Sequence, residues 1–399
     1  MLNSYFLLLL IYFSLSGYSI LTKVIIFKKI EKNFENLDVF YGFLFLILLT
    51  LFLNFIIPIK YISIPTIILG LILTLFFLIK KKIIFKDIRS FVLILLSIIF
   101  ITHHHWPNID TEVYHLQIIN KVYHEKIIFG FANIEEKYGM NSVWQIFLSL
   151  FNIKILNTNL LYIINILPIS IFFNQCFLEV KEKNCLSKSF LILCSFFILT
   201  FSLIHPTNNG IILNHIGSTE VDLLCGFLFI LNVYLGIKIY YKYNENYFNL
   251  LFVLSFIIVF AKPSYLTIAF FPLIICFLLK KNPINKLNIC LVFFGFLVLV
   301  RGFINSGCLI FPSKVTCYKT FWSLDSQVVQ NYEYIVLGSA RDNPLRLRYT
   351  DFDYVINSYD WIIPWFKNYF FTTSLLQIFF IFILLSLILL ILIKQMKIK

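Results

Sequence analysis

The sequence predicts an all-α, polytopic membrane protein of about 11 transmembrane helices, with polar loops gathered on one outer face. Three observations predict it. Of the 399 residues, 60% are hydrophobic, 19% aromatic and only 13% charged, a balance that no soluble core absorbs. Apolar runs of roughly 18–25 residues recur, each long enough to cross the hydrocarbon layer as a helix. Short lysine clusters separate these runs, as in cytoplasmic loops. The same clusters carry much of the net charge of +13, so the basicity is read as topology and not as nucleic-acid binding.

Taken in order, the expected spans lie near residues 3–27, 39–58, 62–79, 84–102, 157–178, 189–204, 215–237, 248–261, 263–279, 287–303 and 371–393. The first is longer than a signal-peptide core and has neither a basic leader nor a small-residue cleavage site, so it is read as a span. With the N-terminus outside and the C-terminus cytoplasmic, 19 of the 33 basic residues fall in short inner loops and the inner tail. Residues 103–156, 205–214, the turn at Lys262 and residues 304–370 then share the outer face. Residues 143–151 are too short to span and read as interfacial or re-entrant. The two runs meeting at Lys262-Pro263 read as short spans or as one broken pair. The chain therefore divides into N-terminal spans (1–102), an outer loop with an amphipathic helix (103–156), central spans (157–303), an outer cap with Trp322, Trp361 and Trp365 (304–370), and a last span and tail (371–399). The eight cysteines show no metal-ligand spacing; Cys308 and Cys317, nine apart in a polar region, would form a disulfide in an oxidising compartment.

The stretch with most chemistry is 103–144, which holds five of the seven histidines. After Pro107, the steps between Val113, Leu116, Ile119 and Tyr123 predict a short helix that Asp110 opens. Tyr114 lies one turn from Asp110 on the same side, and Glu112 and His115 are neighbours. Asp110 reads as a general base for an acceptor hydroxyl, or as a metal ligand with Glu112 and His115; its other reading is a helix N-cap. Adjacent side chains in His103-His104-His105 rarely converge on one ion, and the run also reads as a membrane boundary beside Trp106. Glu220 and Asp222, at the outer start of a span, either support the site or sit in water at the interface. Lys262, Arg301 and Arg341 read as cations for a lipid-linked phosphate, or as snorkelling side chains.

Several motifs together resemble a known family. Asp110-Thr111-Glu112-Val113-Tyr114-His115-Leu116-Gln117, Gly130-Phe131-Ala132-Asn133 and Tyr138-Gly139-Met140-Asn141-Ser142 carry the resemblance, with Arg301, Ser306-Gly307, Phe311-Pro312-Ser313, Ala340-Arg341 and Trp361 with Trp365. They resemble bacterial multi-span proteins that look like membrane glycosyltransferases of the C superfamily (GT-C). The resemblance covers residues from about 100 to 370. It implies a GT-C-like fold in the bacterial inner (plasma) membrane and an inverting transfer, by a single displacement, from a polyprenyl-phosphate-linked sugar donor to a glycan, lipid or protein acceptor at the outer face. Asp110 would be the acidic residue needed for transfer. Glu112, Tyr114 and His115 would position it or a divalent cation such as Mg or Mn, Lys262, Arg301 and Arg341 would meet the donor phosphate, and Glu220 and Asp222 would stand behind them. Two features depart from the family pattern: about four spans precede the acidic loop instead of one, and the acid pair is Asp110-x-Glu112. Two other functions remain open. A polymerase or ligase of lipid-linked glycans would use Arg341, Arg346 and Arg348; a transporter or flippase would need a polar track that the scarce mid-span charges do not supply.

Overall fold

The computed structural model describes residues 2–28, 32–80, 83–102, 111–180, 187–191, 194, 218–341, 359 and 361–363. They are mainly helical: α1 (Leu2–Phe27), α2 (Val39–Asn54), α3 (Ser63–Ile79), α4 (Ile88–Thr102), α5 (Leu116–His124), α6 (Val143–Leu148), α7 (Ile166–Val180), α8 (Asp222–Tyr241), α9 (Glu245–Ala261), α10 (Phe270–Leu279), α11 (Lys286–Ser306) and α12 (Ser326–Arg341). Five helical segments are long and apolar enough to cross a membrane: Leu2–Phe27, Asn36–Asn54, Leu160–Val180, Asp222–Tyr241 and Lys286–Ser306. The chain is thus a mostly helical protein whose long apolar helices fit a membrane.

The expected count of eleven is not reached among the described residues. Four expected spans are shorter apolar helices, Ser63–Ile79, Ile88–Phe100, Glu245–Ala261 and Pro263–Leu279. Local structure shortens them. Ile84 and Phe85, expected inside a span, instead pair in parallel with Asn33 and Phe34. The segment from Pro263 to Ala269 is a 3-10 run with Tyr265 outside helical geometry, so the Lys262-Pro263 junction is a break. The expected span at 371–393, and most of that at 189–204, lie outside the described residues.

The chain forms two compact units, Met1–Ile128 with Asn141–Leu299, and Phe129–Met140 with Val300–Lys399. In the first, α1 packs along both α2 and α3. A Cβ on Gly17 would stand 2.1 Å from the Gly70 carbonyl oxygen, so the α1 and α3 backbones touch where both residues are glycine. Beside this crossing the Tyr18 hydroxyl donates to Thr66 O at 2.7 Å and Ser14 to Ile67 O at 3.0 Å. Small residues and hydroxyls bind helices in this way where lipid removes the hydrophobic drive.

Hydrogen bonds identify two opposite ends of this unit. At one, Asn3 donates to Leu156 O, Asn54 donates to Val122 O and Glu125 O beyond α5, and Trp144 donates to Asn165 just before α7. At the other lie Lys23 of α1, Asp38 before α2, Glu179 of α7, Lys238 of α8 and Asn246 of α9. The helices α1, α2, α7, α8 and α9 therefore run between a polar end and a lysine-rich end. Residues 143–151, expected to be interfacial or re-entrant, are α6 and a 3-10 turn, every residue of them buried.

The second unit splits the expected outer loop, taking residues 129–140 out of it. Gly130 has φ +67°, and a Cβ there would meet Trp322 O at 2.7 Å. Its amide donates to Ile304 O, and Asn133 donates to Trp322 O at 2.7 Å. The Gly130-to-Asn133 motif is thus a backbone clamp on residues 304–322. Cys308 and Cys317 form a disulfide, and Cys308, Phe311, Val329 and Tyr332 make a small core that Met140 packs against.

Candidate functional site

Thr111, which follows Asp110 in sequence, lies at the polar end of the first unit. Residues 111–115 form one π-helical turn that leads into α5. That turn corrects the expected phase. The buried stripe is Thr111, His115, Ile118, Ile119 and Val122, whereas Val113, expected on the apolar face, is 49% exposed. A π turn closes i to i+5 instead of i to i+4, so the residues before Leu116 rotate relative to a regular helix. His115 consequently faces inward at 5% exposure and Glu112 is exposed. The two are not on one face as expected, and Tyr114 is half-buried between them.

Thr111 is fixed from across the unit. The Thr219 amide donates to Thr111 Oγ1 at 3.4 Å, and the Asn165 side-chain amide donates to Ser218 O at 2.8 Å and Glu220 O at 3.1 Å. Asn165 is itself held by the Trp144 indole at 2.9 Å. Sequence reasoning missed Asn165 as the organiser of this end. Its signal was a lone amide at the start of an apolar run, where every polar atom needs a partner. Glu220 is buried at 5% exposure, and Asp222 opens α8.

Two residues assigned to separate tasks come together here. Lys262, expected to meet a phosphate, forms an ion pair with Asp222, the side chains being 35% and 55% exposed. Arg301 and Arg341 belong to the second unit: Arg301 is buried in α11, and Arg341 closes α12 with its side chain outside the description. Asp110, His103-His104-His105, Arg346 and Arg348 lie outside the described residues. Among those described, no group of three His, Cys, Asp or Glu is placed to hold a metal ion.

The opposite end holds a polar network in which only Lys238 reads from the sequence as loop charge. Lys23 and Asp38 pair at 2.6 Å with side chains 8% and 1% exposed. Asn246 donates to Asp38 Oδ1 at 2.8 Å, and the Tyr41 hydroxyl donates to Asn246 Oδ1 at 3.1 Å. Lys238 pairs with buried Glu179, which also accepts from Tyr234, and Tyr247 donates to Glu35 at 2.9 Å. Three carboxylates and two ammonium groups thereby tie α1, α2, α7, α8 and α9 at one level. Near it in sequence, Asn174 of α7 is fully buried with neither polar side-chain atom bonded among the described residues. Asn174→Leu is expected to raise stability by about 1–2 kcal/mol, read as a higher unfolding temperature in detergent, because it removes an unpaid desolvation cost at nearly constant shape.

No curated protein and no solved structure matches the chain. A family profile described as a domain of unknown function (DUF8201) matches residues 1–399, and the chain belongs to that family.

Proposed function

We propose that this DUF8201 protein is an inverting membrane glycosyltransferase of GT-C-like architecture, with eleven spans, acting at the outer face of a bacterial inner membrane. The donor is a sugar on polyprenyl phosphate, and the acceptor is a glycan, lipid or protein of the cell envelope. The observation that carries the proposal is the bond from the Thr219 amide to Thr111, which docks the segment following Asp110 onto the end that also bears Glu220, Asp222 and Lys262. Asp110 takes the proton of the acceptor hydroxyl as that oxygen attacks the anomeric carbon and the prenyl phosphate leaves. His115 and Tyr114 position the turn that carries Asp110. The Lys262–Asp222 pair is open to water, so a donor phosphate competes with Asp222 for the ammonium group. Arg301 and Arg341 are the second unit's phosphate candidates, to be substituted if Lys262 proves dispensable. Glu112 and His115 face differently, so a divalent cation such as Mg or Mn enters the proposal through Asp110 alone. The N-terminus is outside and the C-terminus cytoplasmic in this arrangement, which puts the Cys308–Cys317 disulfide on the outer, oxidising side.

The test is mass spectrometry of surface glycans and lipid-linked sugars from cells with and without the gene. The expected result is loss of one sugar from the envelope and accumulation of its polyprenyl-phosphate form. Shortened polymers with all sugars present would replace transfer by polymerisation; an unchanged glycan with a misplaced lipid-linked sugar would replace it by transport.

A further inference from the structure

Away from the polar end, a groove of about 240 Å³ runs along α2 between α1 and α11. Ile25, Ile26, Leu48, Phe52, Cys290 and Phe294 line it, and its one hydroxyl, on Thr22, is spent on Tyr18 O. Ile25 and Phe52 are also among the exposed apolar side chains, so the groove opens sideways onto the surface that long apolar helices turn to lipid. An apolar groove there is occupied by hydrocarbon; charge indicates which hydrocarbon-bearing molecule.

Lys286 precedes Cys290 and Phe294 by one and two turns, so the three share a face of α11. Lys28 follows Ile25 by three residues; its amide bonds Val24 O at 3.1 Å, and with φ +53° it closes α1 in the left-handed conformation just past the last turn. Both lysines are exposed, and neither forms an ion pair among the described residues. Two ammonium groups with no ion-pair partner among the described residues thus lie in sequence near the lysine-rich end of an apolar slot, matching the headgroup and chain of an amphiphile. We propose that the groove binds an anionic phospholipid from the leaflet on the lysine-rich side. One acyl chain lies along α2, and Lys28 and Lys286 hold the phosphate. The lysines favour a net negative headgroup over a zwitterionic one, whose own cation would oppose them.

Native mass spectrometry of the full chain in detergent tests this, with phosphatidylglycerol and phosphatidylcholine added at equal concentration. Phosphatidylglycerol adducts are expected to exceed phosphatidylcholine adducts by about 25-fold, a factor of about five coming from each of the two lysines near the headgroup. Lys28→Gln with Lys286→Gln, both surface changes that leave the helices intact, is expected to bring the two lipids to parity; Lys60→Gln, at the other end, is expected to keep the preference. Leu48→Trp fills the slot and is expected to remove both adducts while the lysine variants report independently of any misfolding it causes. Equal retention of the two lipids by the unchanged protein, an undiminished preference in the double lysine variant, or stronger binding of a polyprenyl phosphate than of phosphatidylglycerol would overturn the proposal. The test reads lipid adducts alone, so its outcome does not depend on the glycosyltransferase reading.

Discussion

Replacing Asp110 with Asn is expected to lower sugar transfer by about 10²- to 10⁴-fold, the usual worth of a positioned general base, with membrane abundance unchanged. The choice of Asn separates the two roles open to this residue. Asn caps a helix about as well as Asp, so the variant keeps any cap and loses only the basic oxygen. Asp110→Ala loses both. If Asn retains transfer and Ala does not, the residue is a cap, and the base must be sought elsewhere. Thr111 gives the control: Thr111→Val removes the acceptor of the Thr219 amide while leaving Asp110 chemically intact. It is expected to weaken transfer less than Asp110→Asn, because the loop loses its fixing point and keeps its reactive group. The measurement is the envelope sugar lost from the gene deletion, quantified against protein detected in the membrane fraction.

Asp38→Ala is expected to cost about 3–5 kcal/mol, the penalty for leaving a buried charge without its partner. Lys23, at 8% exposure, would lose the Asp38 carboxylate, and Asn246 and the Glu35 backbone amide would each lose an acceptor. Thermal unfolding of the purified chain in detergent reads the effect. The double change Lys23→Met with Asp38→Leu is expected to be milder than Asp38→Ala alone, because it removes both desolvation costs together. At the other end, Asp222→Asn breaks an exposed pair and is expected to change stability by less than about 1 kcal/mol. A large loss from Asp222 and a small one from Asp38 would reverse the assignment of which end is structural.

What could be read from the sequence was what each segment decides by itself. Hydropathy located α1, α2, α8 and α11, and proline marked the break after Lys262. Spacing and polarity singled out Cys308 and Cys317, which form a disulfide. The missing parts depend on distant partners. Ile84 and Phe85 look like the start of a span until Asn33 and Phe34 pair with them. The turn before α5 looks α-helical until one extra residue enters it, and this moved His115 inward and Val113 outward. The lysine-end network escaped because Lys238 was counted as loop charge and Glu179 and Asp38 were left unassigned. Each carboxylate stands within one turn of a span end, where a charge needs a partner, but no local pattern names Lys23 or Lys238 as that partner. For the proposed site, motif and resemblance supplied Asp110, while Asn165 and Thr219 required the fold.

The touching backbones of α1 and α3 bear on how the protein is made. Gly17 leaves the ribosome long before Gly70, and α1 lies exposed to lipid until α3 arrives to cover it. During that interval the glycine face of α1 is open to any other small-residue helix in the bilayer. The α1–α3 contact therefore closes only once α3 has been made.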